Sequence, residues 1–77
     1  MPSDPVITAA VGRAVRSLRE QKDLSQEELA ACSNMHRTYI GGIERGERNP
    51  TITVLYRIAD ALQVSASALL ALAEEQQ

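Results

Sequence analysis

The chain has 77 residues, 44% of them hydrophobic, with two Tyr as its only aromatics, one Cys and a formal net charge of −2. That bounds it to one small domain with an aliphatic core barely large enough to stand alone. It also excludes an internal disulfide, and no apolar run approaches the ~20 residues of a membrane span. With no visible secretory signal, a reducing cytoplasm and no membrane partner are expected.

The opening MPSDP, residues 1–5, reads as a short tail, with Asp4 and Pro5 as the N-cap and N1 of a first helix. That helix is predicted from about Val6 to Gln21, with Ile7, Val11, Ala14, Val15 and Leu18 on one stripe and Arg13 and Arg16 on a solvated flank. Asp23 tolerates the left-handed cap position that follows, and Leu24 returns the chain to the core.

Residues 25–46 carry the strongest signal. Ser25 with Glu28 three residues on is a capping box, and Glu27 and Glu28 suit the positive end of a helix dipole. Leu29 and Ala30 face inward, and this second helix ends near Cys32, expected as a small buried thiol. Asn34 suits a sharp left-handed turn, and Met35 is placed to staple against Ile40 or its neighbours. From His36 a third helix buries Ile40 and Ile43, turns Arg37, Thr38, Gly41 and Gly42 outward, and stops at Gly46. Two short helices about a tight turn form a helix-turn-helix pattern.

Pro50 ends the loop that follows, and Thr51 caps a fourth helix to about Leu62 with Val54, Leu55, Ile58, Ala61 and Leu62 inward. Gln63 and Val64 link to Ser65, which caps a fifth helix from Ala66 to about Ala73. That helix is apolar nearly all round, which implies burial on more than one side and hence a second copy of the chain. Helical spacing throughout, with no strand alternation, gives an all-α five-helix bundle.

The outer face of the third helix has two readings. Arg37 and Thr38 are either ordinary solvated surface or a base-reading pair, Arg gripping guanine O6 and N7 and Thr offering a hydroxyl and a methyl. Two mid-helix glycines cost about 1 kcal/mol each against alanine, so Gly41 and Gly42 imply a need for a bare surface, such as close approach of a DNA backbone. The net charge of −2 argues against bulk nucleic-acid affinity. Charge is nevertheless polarised: residues 11–22 hold Arg13, Arg16, Arg19 and Lys22 against Glu20, and residues 36–49 hold Arg37, Arg45 and Arg48 against Glu44 and Glu47. Weak non-specific binding with a few placed contacts is the expected result. His36 has no partners at metal-ligand spacing, and no nucleophile–base set or phosphate-cradling loop appears. No catalysis, metal, cofactor or small-molecule ligand is expected.

The segments LSQEELA and RTYIGGIERGERNPTITVLYRIADALQVSASALL strongly resemble the phage-repressor-like (Xre-type) helix-turn-helix family, with the likeness running from about Val11 to Leu72. RTYI, GIER and the RN pair before the fourth helix look most like controller proteins of restriction–modification systems. The resemblance implies a lambda-repressor-like bundle and a cytoplasmic, nucleoid-associated homodimer. That dimer would bind a pseudo-palindromic operator upstream of its own gene and the endonuclease gene. It further implies base reading by Arg37 and Thr38, and backbone contacts from Gln26, His36, Tyr39, Arg45, Arg48 and Asn49. Arg19 and Glu44 match a structural salt bridge, and Leu69, Leu70 and Leu72 match the dimer region. RNA polymerase is a candidate partner for the exposed third and fourth helices. Another Xre-type regulator, a phage-type repressor or an antitoxin, and a protein-interaction module that has lost DNA binding are the alternatives. Gly41 stands where a serine is common and Gly42 offers the bases no side chain, so part of the specificity is expected from DNA shape.

Overall fold

The computed structural model describes residues 4–75, and the first three residues of the expected tail lie outside them. Its elements are α1 (Pro5–Gln21), α2 (Gln26–Ser33), α3 (Arg37–Glu44), α4 (Ile52–Ala61) and α5 (Ala66–Glu75), with no strand among the described residues. The starts are set by the caps anticipated from sequence. Asp4 accepts from the Val6 N–H at 2.9 Å ahead of Pro5. Ser25 and Glu28 close both halves of the capping box at 3.0 and 2.8 Å. Thr51 accepts from Val54 N–H at 3.2 Å and Ser65 from Ala68 N–H at 3.0 Å. The ends use the left-handed conformation: Asp23, Asn34 and Gly46 have φ of 56°, 58° and 75°, and Gln63, read only as a link, joins them at 61°.

The long α1 packs on α5 and α3, α2 lies against α3 and α4, and α4 against α5. Val15, Leu29, Ile40, Ile43, Ile58, Leu62 and Leu69 are the largest fully buried side chains, and no aromatic joins them. Two expectations for single positions fail. Ile7 is half exposed, because the first turn of α1 is covered only on the flank where Thr8 is buried, its hydroxyl donating to Asp4 O at 3.0 Å. Cys32 is exposed on the outer side of α2. Ser33 takes the buried position instead, its hydroxyl donating to the Leu29 carbonyl at 2.7 Å.

The approach of α1 to α3 is nearly backbone to backbone. A Cβ on the buried Gly12 would clash with the Ile43 carbonyl oxygen and stand 2.8 Å from that of Glu44, neither of which can move without moving α3. Farther along, Gly46 rests on Ala9, whose Cα is 3.1 Å from the position of a Cβ. Alanine at position 12 would favour the helix by about 1 kcal/mol, but overpacking costs about 1–3 kcal/mol or more. Gly12→Ala is therefore expected to lower the melting temperature, whereas a variant melting with the wild type would show that α1 can shift outward freely.

Candidate nucleic-acid interface

The interface is built on α3 and the ends that flank it. Ser25 aims α2, Asn34 turns the chain sharply in the left-handed conformation, and Met35 is partly buried on the core just ahead of α3. His36 is the N-cap of α3 but makes no side-chain capping hydrogen bond, so Arg37 is the first helical residue. Arg37 and Thr38 are exposed in that first turn, and Ile40 and Ile43 on the opposite side are fully buried. The buried stripe thus fixes which side chains face out.

What holds this helix is a charged clasp. Arg19 of α1 donates through Nε to Glu44 Oε2 at 2.6 Å and through Nη2 to Oε1 at 2.9 Å, and its Nη1 donates to the Leu24 carbonyl at 2.8 Å. Gln26 at the start of α2 donates through Nε2 to Glu44 Oε1 at 3.0 Å. One carboxylate therefore ties α1, α2 and α3 together. Glu44 stands at the negative end of the α3 dipole, and the two donors compensate it. The hydrogen bond to Glu44 raises the Arg19 guanidinium above its ordinary range against the opposing effect of burial. Gln26, expected at a phosphate, has one of its amide N–H groups committed within the protein.

Around α3 the cations have defined neighbours. Arg37 Nε lies 3.5 Å from Glu27 Oε2, and Arg45 Nε donates to Glu47 Oε2 at 3.0 Å. Both pairs are well exposed and solvent-screened, so a phosphate or a base can displace them. The hydrogen bond from Arg45 holds the Glu47 carboxyl below its ordinary range and raises the guanidinium in turn. Arg48 stacks over the half-buried Tyr39, its Cζ 6.0 Å from the ring centroid. His36 and Asn49 are exposed at the two ends of this surface. Glu47, counted in the sequence only toward the charge balance of this segment, is the specific counter-ion of Arg45.

The glycines are a correction. Gly41 and Gly42 are buried, not a bare outward surface. A Cβ on Gly41 would meet Arg45 Nη1 at 3.0 Å and Gln26 Oε1 at 3.5 Å, and one on Gly42 would meet Arg48 Cγ at 2.7 Å. They make room for the protein's own long side chains. Leu69 is the second correction: at 1% exposure it lies in the core of its own chain, which closes it to a partner. Leu70 is 41% exposed and Leu72 is partly buried against the core. Unanticipated apolar exposure lies on α4, where Ile52 and Tyr56 are 74% and 64% exposed beside a groove of about 720 Å³ that Val64 and Ala66 line together with Arg57, Asp60 and three Ser or Thr side chains. Among the described residues no three His, Cys, Asp or Glu side chains could hold a metal, and no single helix is long and apolar enough to cross a membrane.

A capped helix, a left-handed turn and a second helix presenting Arg and Thr from its first turn define a helix-turn-helix unit. A family model described as Helix-turn-helix matches residues 15–69, and the chain belongs to this Xre-type family of DNA-binding regulators. Among its relatives, Control protein C.SmaI of Serratia marcescens is 54% identical over 56 residues, 73% of this chain and 67% of that protein. The restriction–modification controller protein C.AhdI from Aeromonas hydrophila has a similar structure, with a TM-score of 0.79 and 40% identity, covering 80% of this chain and 94% of that one. C.Esp1396I, solved as a tetramer on its natural 35 base-pair operator, gives 0.84 and 37%, covering 91% and 92%.

Proposed function

We propose that the chain is a restriction–modification controller protein that binds, as a homodimer, a pseudo-palindromic operator upstream of its own gene and the endonuclease gene. The observation that carries this is the exposed Arg37–Thr38 pair on the first turn of a helix whose far end is clasped by Arg19 and Gln26 through Glu44. Such a helix is held rigidly enough to enter a major groove N-terminus first. Arg37 reads guanine and Thr38 contacts thymine or a neighbouring base edge. Tyr39, Arg45, Arg48, Asn49, His36 and the N-terminal end of α2 at Gln26 contact the DNA backbone. Because Gly41 and Gly42 are covered by the protein's own Arg45 and Arg48 and present no side chain to the bases, only the first turn of α3 reads bases directly, and DNA shape takes a share of the specificity.

The homodimer forms through the apolar surface of α4 and α5. Leu70 lies one turn beyond Ala66 on the same side of α5, so Ile52, Tyr56, Ala66 and Leu70 offer one patch, with Leu72 at its margin. Two copies joined there place recognition helices about 34 Å apart, in successive major grooves. The decisive experiment is an anisotropy titration onto the duplex upstream of the gene and onto a scrambled copy, with Leu70→Glu run in parallel. Tight, salt-sensitive binding to the first duplex alone is expected, with Leu70→Glu sedimenting as a monomer and binding at least tenfold more weakly. Equal weak binding to both duplexes would overturn the operator assignment, and a Leu70→Glu dimer would overturn the interface.

A further inference from the structure

We propose that Gly42 is a positioning residue for DNA binding: its missing side chain is the slot that seats Arg48 across the recognition helix. The inference rests on the proposed function for what Arg48 then meets, but the slot itself is a property of the free protein. Gly42 is buried on a helix whose first turn carries the exposed Arg37 and Thr38, and the stem of Arg48 lies against it. A Cβ there would fall 2.7 Å from Arg48 Cγ, 3.7 Å from Nε and 3.8 Å from Cβ. The obstruction is thus along the aliphatic stem and not only at the mobile tip. Gly41 differs, since the atom its Cβ would crowd is the terminal Arg45 Nη1 at 3.0 Å, which can swing away.

The backbone reinforces the slot. Both Glu47 N–H and Arg48 N–H donate to the Gly42 carbonyl, at 2.8 and 3.3 Å, so the loop after α3 folds back on this one residue. With its stem laid over Gly42, Arg48 reaches Tyr39, whose ring lies 6.0 Å from the guanidinium carbon. An arginine confined in this way has less rotamer freedom to lose on binding a phosphate. Ala at position 42 would keep the backbone hydrogen bonds and favour the helix, yet expel the stem and release the guanidinium.

The test combines the free protein with a double-mutant cycle. In the free wild type, nuclear Overhauser contacts from the Arg48 γ protons to the Gly42 α protons, and from Arg48 to the Tyr39 ring, are expected. Their absence would overturn the proposal whatever the DNA result. Gly42→Ala should melt no lower than the wild type and bind both the upstream duplex and a scrambled duplex about 5- to 10-fold more weakly. In the Arg48→Ala background the same glycine substitution should cost nothing further. If the losses multiply instead, the glycine serves DNA directly and the proposal fails. It fails equally if Gly42→Ala binds as the wild type does, or melts lower with no recovery when Arg48 is removed. A wild type that binds neither duplex would defeat the proposed function, while the proton contacts would still decide the slot.

Discussion

Glu44→Ala is expected to remove about 3–5 kcal/mol of folding stability, the cost of breaking a buried ion pair by deleting one partner. The carboxylate side chain is 3% exposed and the guanidinium 12%, so Arg19 would be left without its counter-charge where water barely reaches it. Gln26 Nε2 loses its acceptor in the same substitution. For a domain of this size each kcal/mol corresponds to about 4–8 °C in melting temperature, and total stability is of the order of 5–15 kcal/mol. The variant should therefore be partly unfolded near 37 °C by circular dichroism. Replacing both partners by apolar residues, Arg19→Met with Glu44→Leu, should recover most of the loss, because no charge is then left buried. A Glu44→Ala protein within 1 kcal/mol of wild type would show that the clasp is ornamental and that the apolar core alone orients α3.

The second large effect is on binding. Arg37→Ala should cost about 1–3 kcal/mol on the operator and relax the preference at one base pair, while its folding stability stays within about 0.5 kcal/mol of wild type. Its only described ion pair, with Glu27 at 3.5 Å, is exposed at both ends and worth little to the fold. Arg48→Ala should weaken all sequences alike and reduce the slope of log affinity against log salt by about 1. Titrations at several salt concentrations, on the operator and on duplexes substituted at single base pairs, separate the two behaviours. Equal losses for both variants on operator and scrambled DNA would refute the division between base and backbone contacts.

Both predictions concern features that differ in how far the sequence discloses them. Where a helix begins and ends is written in a few adjacent residues. Ser25 with Glu28, Asp4 with Pro5, Thr51 and Ser65 act through hydrogen bonds spanning two or three positions, and Asn34 and Gly46 through backbone conformation alone. The five helices were legible for that reason, as was the outward aim of Arg37 and Thr38, fixed by the helical period from Ile40 and Ile43. The Arg19–Glu44 partnership spans 25 residues and was legible only through resemblance to a family.

Burial is different, because it depends on which distant element covers a position. Ile7 and Val11 share one helical stripe, yet only Val11 has a neighbour over it. Leu69 and Leu70 are adjacent leucines with opposite fates, one closed inside its own chain and one left exposed. The glycines show the limit most clearly. Helical propensity marks Gly12, Gly41 and Gly42 as costly, but it cannot distinguish a bare surface from a slot already filled. The backbone of α3 fills the space beside Gly12, while Arg45 and Arg48 fill that beside Gly41 and Gly42. The sequence by itself determined the helices and the face they present, since those follow from local hydrogen bonding and periodicity. Only the tertiary structure decided which residues that face leaves free, since exclusion of one side chain by another is a contact between segments that the chain brings together only on folding.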